Sequence, residues 1–172
     1  MIIKIKKYLQ SLFKKISYSF FHLIYGKVIF DDNFEKDNSD ITQNIVRKDG
    51  NREYKIFKLK GSRLYTDRIH NTALIKNNVL ISGPSYKIEN NNFANKNNIV
   101  LKIGTPRFIR KIKGKILSLL TGGGGNNNYF HWLFDVLPRI EIFNQLYNIE
   151  DIDFLLIPSY SKRFQKETLN LL

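Results

Sequence analysis

The sequence predicts an α/β protein whose β-rich first part leads into a parallel, Rossmann-like α/β layer. Three observations carry this. Short β-like runs between residues 54 and 103 are punctuated by Gly, Asn and Pro. From residue 108 the grammar changes to strand, loop, helix, strand, helix, the order of a parallel layer. With 42% apolar and 13% aromatic residues in 172, the chain can bury a core, which disfavours wholesale disorder.

The opening segment, residues 1–25, reads as a basic amphipathic helix. Ile5, Leu9, Leu12, Ile16, Phe20 and Leu23 recur at helical spacing, and Lys4, Lys7, Lys14 and Lys15 lie mostly on other faces. Lys14 and Lys15 break the apolar run well short of the ~20 residues a spanning helix needs. No small-residue cleavage site follows, which disfavours a secretory signal. Two readings stay open: a helix on an anionic membrane surface, or one packed on its own or a further domain.

Residues 26–53 read as a linker, because 31–50 are acidic, Asn-rich and poor in apolar residues. The β-like runs follow at 54–59, 64–65, 73–75, 79–82 and 99–103, separated by Gly61, Asn77-Asn78 and Gly83-Pro84. Asn77-Asn78 predicts a tight hairpin turn. Residues 89–98, with six Asn, predict an exposed loop. Beyond 108, residues 116–120 and 154–157 read as strands, and 129–147 and 162–171 as helices. The chain stops inside that last helical pattern, so residues 54–172 (β-rich 54–107, α/β 108–172) read as a partial domain.

The formal charge of +13 is unevenly spread. Residues 1–30 carry +6 and 51–120 carry +12, whereas 31–50 carry −3 and 121–172 carry −2. Twenty Lys accompany only eight Arg, alongside nineteen Asn and 23 Ile, a joint enrichment that looks like drift toward AT-rich codons. Such a surface attracts any polyanion, and no specific nucleic acid is expected. The absence of cysteine excludes disulfides and Cys-based metal sites within these residues.

The chemistry concentrates after residue 120. The loop 121–128 follows a strand and precedes a helix, where ligands of open parallel sheets bind. Its four glycines, Gly124 and Gly125 nearest the helix, would let a ligand approach the backbone. The loop fits neither phosphate fingerprint: a P-loop needs Gly-Lys-Ser/Thr, and the dinucleotide motif needs Gly where Asn127 stands. Taken alone, the glycines read as a low-complexity surface loop.

His131, Asp135 and Arg139 recur every four residues and share one helix flank, while Trp132, Val136, Ile140 and Phe143 form the opposing apolar stripe. Pro138 predicts a kink or a second helix starting there, with His131 and Asp135 in register either way. The flank admits three explanations. It can be a solvated face with ion pairs worth a few tenths of a kcal/mol. It can be a metal site, though one His and one Asp are too few for zinc. Or it can be an acid/base site in which Asp135 takes a proton from a hydroxyl, with His131 as partner or alternative base.

The run Asn128-Tyr129-Phe130-His131-Trp132-Leu133-Phe134-Asp135-Val136-Leu137-Pro138-Arg139 resembles glycosyltransferase family 61, whose pattern is similar to Asn-Tyr-Tyr/Phe-His-Trp-Leu-x-Asp/Glu-x-Leu-Pro-Arg. The stretches 61–66, 73–75 and 79–82 also look like that family's β-rich opening region, so the resemblance spans residues 55–172. It implies an incomplete two-lobed GT-B-type glycosyltransferase, of the kind many bacteria use in capsular polysaccharide biosynthesis. Such an enzyme inverts the anomeric centre, takes a nucleotide sugar as donor substrate and a glycan as acceptor, and needs no obligatory metal or other cofactor. Carried onto matched positions, the resemblance makes Asp135 and His131 catalytic candidates. Asn128, Tyr129 and Arg139, with the neighbouring Gly124 and Gly125, become substrate-binding candidates. The expected setting is cytoplasmic, with the inner membrane face as an option. This chain alone is expected to be inactive, and a gene fragment, a split enzyme needing a partner chain for its second lobe, and a degenerate copy all stay open. The competing classes are an inactive lobe that binds glycans or a partner transferase, and a basic membrane-surface or nucleic-acid-associated module resting on residues 1–30 and 51–120.

Overall fold

Asn77 and Asn78 take φ angles of 50° and 63°, the left-handed pair that a two-residue primed turn demands. In the computed structural model, which describes residues 2–67, 70–89, 92–120 and 127–171, this turn joins β5 (Asn71–Lys76) to β6 (Val79–Glu89), with Lys76 opposite Val79. β4 (Arg63–Thr66) pairs antiparallel with β5, and β1 (Ile29–Phe30) runs parallel to β6. The sheet order is β1-β6-β5-β4, and β7 (Asn92–Phe93) pairs with the far end of β6. β2 (Ile41–Asp49) and β3 (Arg52–Leu59) form a separate antiparallel hairpin. β8 (Ile116–Ser118) and β9 (Phe154–Leu156) form a parallel pair. The described residues are thus mixed α/β, with parallel and antiparallel pairing and no barrel.

Three local expectations need correction. Within the stretch 31–50, read as loop, residues 34–37 form the short helix α2 (Phe34–Asp37) and β2 pairs along its length with β3. Only Ile41, Asn44 and Val46 of β2 are half-buried among its first six residues; the strand is made by its partner rather than by apolar alternation. Residues 99–103, read as strand, instead contribute helix α3 (Val100–Ile103). Asn98 Oδ1 accepts the Val100 N–H at 3.3 Å, Gly104 closes the turn at φ 62°, and Val100 and Ile103 are buried three residues apart. The Asn-rich stretch 89–98, read as exposed, buries Asn98, whose amide donates to Thr72 O and Tyr86 O at 3.3 and 3.4 Å. Asn95 donates to Ser82 O and Ser85 O. Here Asn satisfies main-chain carbonyls that the sheet leaves open. Residues 90 and 91 lie outside the described residues.

β6 also outruns its expected end at Ser82. Leu74 faces Ile81, and the next pair is Thr72 with Tyr86, so Gly83-Pro84 sits in a bulge. Pro84 has no N–H for the ladder, and a bulge asks for none. Ser85 Oγ accepts the Leu74 N–H at 3.0 Å instead. Gly83 is packed by Phe57 of β3, whose ring occupies the space a Cβ would need.

Two cores result. Val28, Ala73, Ile75, Leu80 and Val100 fill one, beside the main sheet. Leu119, Trp132, Val136 and Ile140 fill the other, where the helical segment 129–144 and α6 (Arg163–Leu169) cover β8 and β9. The strand–helix–strand–helix order expected from residue 108 is therefore present. Asn44 Nδ2 donates to Tyr147 Oη at 3.0 Å, tying the β2–β3 hairpin to this unit. Lys76, buried at the end of β5, donates to Lys60 O and pairs with the Asp40 carboxylate at 2.8 Å.

α1 (Ile2–Tyr25) joins the body through its last turns only. Phe21 packs edge-on against Phe108 at 5.1 Å and stacks with Tyr25 at 6.1 Å. Tyr25 Oη accepts the Ile109 N–H at 3.3 Å. Gly104 lacks a Cβ where the His22 ring lies. Among the described residues no helix is long and apolar enough to cross a membrane.

Candidate functional site

β8 and β9 are parallel, so their carboxyl ends open on one edge, the edge that binds ligands in such layers. The loops leaving them are tied by Ser161 Oγ donating to Asn127 Oδ1 at 3.3 Å, with the Ser159 and Ser161 hydroxyls 3.0 Å apart. Gly124 and Gly125 lie outside the described residues.

Asn128 starts the helix in extended conformation, and its Oδ1 accepts the N–H groups of Phe130 (3.0 Å) and His131 (3.4 Å). That is an N-cap, so this oxygen fixes where His131 emerges. Tyr129 meets Phe164 edge-on at 5.0 Å and keeps more than half its surface exposed. α4 (Tyr129–His131) passes into a π turn at Trp132–Val136, where the Leu137 N–H reaches back to Trp132 O at 3.1 Å. α5 (Pro138–Asn144) then begins with Pro138 in its first turn, the position that needs no N–H. Of the two outcomes expected at Pro138, a second helix starting there is the one found. π turns of this kind recur at functional sites.

The apolar stripe locks the segment. Trp132 and Val136 are fully buried, Ile140 and Phe143 nearly so, and Trp132 Nε1 donates to Thr168 Oγ1 at 2.9 Å. The opposite flank is thereby held outward. On it, His131 Nδ1 lies 2.6 Å from Asp135 Oδ2, and both side chains are partly open to solvent. Against an ionised Asp135, Nδ1 carries the proton and donates, which leaves Nε2 as the basic nitrogen. Among the described residues no hydrogen bond engages Nε2.

Arg139 completes the line. Its Nε donates to Asp135 O at 2.9 Å and its Nη1 to Leu120 O at 3.4 Å, joining the helix to the end of β8. Although much of the side chain remains accessible, desolvation of the guanidinium lowers its pKa, and Asp135 and Tyr86 act to raise it. An arginine stays cationic through such shifts.

Tyr86 of β6 was not among the sequence candidates. Partial burial raises its pKa, the Asp135 carboxylate adds to the rise, and Arg139 opposes it, so the phenol stands within electrostatic reach of both. The alternation of β6 past Gly83-Pro84 was the only sequence signal for it; nothing local links residue 86 to residue 135.

The cluster combines a His–Asp pair and a fixed cation beyond the carboxyl end of β8, with the Tyr86 phenol of the main sheet in electrostatic range. It can accept a proton at Nε2, neutralise an anion near Arg139, and stack a ring on the exposed Phe130 and Phe134, whose centroids are 4.7 Å apart. Among the described residues no three His, Cys, Asp or Glu side chains group to hold a metal ion. A shallow depression at the β2–β3 tip, lined by Lys48, Gly50, Asn51, Glu53 and Lys55, shares no residue with the cluster.

Fold and site together define a mixed α/β protein with an oriented His–Asp pair beside a parallel strand pair. No protein-family model matches the chain, and neither a curated protein nor a solved structure matches it.

Proposed function

We propose that this chain forms the acceptor side of an inverting glycosyltransferase similar to family 61 and of GT-B type, acting in the assembly of a surface polysaccharide. The observation that carries the proposal is the His131 Nδ1–Asp135 Oδ2 contact of 2.6 Å, which sits inside the Asn-Tyr-Phe-His-Trp-Leu-x-Asp resemblance. In this mechanism Asp135 orients His131, and Nε2 takes the proton of an acceptor hydroxyl as its oxygen attacks the anomeric carbon. The bond from that carbon to the donor's phosphate oxygen breaks, and the nucleoside diphosphate leaves with the electron pair. Arg139 lies on the same flank as a countercharge for phosphate, and Asn128 keeps the pair in register. The donor is a substrate, no metal enters the proposed steps, and any second lobe comes from elsewhere in the assembled enzyme.

The test is sugar transfer by the full-length, natively expressed protein from a panel of nucleotide sugars to oligosaccharide acceptors. A positioned general base contributes ~10²–10⁴-fold in rate, so His131→Ala and Asp135→Asn each lower kcat by at least ~10²-fold while the unfolding transition is unchanged. Full activity in both variants sinks the assignment. A second reading, glycan binding without transfer, draws on the exposed rings of Tyr129, Phe130 and Phe134. Under it, acceptor affinity falls on Phe134→Ala and no transfer is detected with any donor.

A further inference from the structure

α1 is a helix whose two faces have opposite fates. At about 100° per residue, Tyr18, Phe21, His22 and Tyr25 fall on one side and are buried or half-buried, with half-buried Ser17 at its edge. Ile5, Leu9, Leu12, Phe13, Ile16, Phe20 and Leu23 fall on the other, and all are exposed, Phe13 at 73% and Leu23 at 88%. From Ile5 to Leu23 the stripe therefore points away from the body over ~27 Å of the helix, while the Phe20 ring among its members meets the body at Phe108. Soluble surfaces rarely leave so continuous an apolar patch uncovered.

Charge selects what covers it. Residues 2–25 contain five Lys and no acid. The segment 107–115, whose Phe108 meets Phe20 and Phe21 at the base of the helix, adds exposed Arg107, Arg110, Lys111, Lys113 and Lys115, again with no acid. A second copy of this chain could cover the stripe, but it would set two helices of like charge side by side and bring no acid of its own helix to offset their lysines. An anionic bilayer offers phosphates to the lysines and acyl chains to the stripe at once. The helix is too polar to cross a membrane, which leaves it lying in the interface.

We infer that α1 and the basic segment 107–115 form a membrane-binding surface that seats the protein on anionic lipid, with the stripe of α1 buried among the acyl chains. Full-length protein floated with vesicles of phosphatidylcholine plus phosphatidylglycerol is the assay, beside vesicles of phosphatidylcholine alone. Binding is expected to the anionic vesicles, weaker at high salt, with little to the neutral ones. Phe13→Asp abolishes it, and Lys14→Gln with Lys15→Gln weakens it roughly fivefold per lysine. All three side chains are exposed, so the unfolding transition stays put. The inference is overturned if no vesicle is bound at low salt, if neutral vesicles bind equally, or if Phe13→Asp floats like wild type. It is likewise overturned if the stripe instead drives a dimer that Phe13→Asp dissolves and no vesicle is bound.

Discussion

α1 and the helical segment 129–144 both carry an apolar stripe at helical spacing, yet the two stripes end in opposite surroundings. Trp132, Val136, Ile140 and Phe143 are buried, the first three in one core with residues of the β8–β9 unit and α6, whereas the stripe of α1 is exposed and the helix is held mainly by the other face of its last turns. Periodicity therefore tells that a helix forms and which residues share a face. It does not tell what covers that face. The difference matters for function: the buried stripe holds His131, Asp135 and Arg139 rigidly outward, while the uncovered one is itself a surface for binding.

Stability measurements break or sharpen this contrast. The largest expected effect is Trp132→Ala, which empties the centre of the second core and costs about 3–5 kcal/mol in chemical denaturation. Phe13→Ala, a comparable truncation on α1, stays within about 0.5 kcal/mol of wild type. Equal losses in the two variants would mean that the α1 stripe is packed within the protein after all.

Asn128→Ala removes the cap that sets His131 and costs about 1 kcal/mol, with transfer activity falling as the pair loses its register. Asn128→Asp keeps an accepting oxygen and restores most of both. If Asn128→Ala leaves stability and activity alone, the cap does not position the site.

The smallest effect concerns pH. The hydrogen bond and charge of Lys76 hold the Asp40 carboxyl below the usual carboxylate range. A group with a lowered folded pKa stabilises above its unfolded pKa, and the contribution is lost as pH falls through the folded value. Melting curves of wild type and Asp40→Asn should therefore differ slightly at neutral pH and converge in acid. A gap that persists below both pKa values would show that the variant acts by some route other than this ion pair.

Much of the site was legible in local sequence. Spacing of four put His131 and Asp135 on one flank, Pro138 marked a kink or a helix start, and the buried stripe was named residue by residue. Tyr86 was not legible, because its electrostatic influence on Arg139, and that of Asp135 on it, depend on tertiary structure that brings distant parts of the chain within range. The hairpin β2–β3 was missed for a similar reason: residues 41–49 are strand by virtue of pairing with 52–59, and their composition reads as linker.

By itself the sequence determined the elements whose cause is local. The left-handed tolerance of Asn77-Asn78 made the turn, and the 3.6-residue repeat made the two long amphipathic faces. Tertiary structure alone decided which face is covered, where the Asn-rich stretch is buried, and which phenol lies in electrostatic range of Asp135. Those outcomes depend on contacts between residues dozens of positions apart, and no local propensity encodes them.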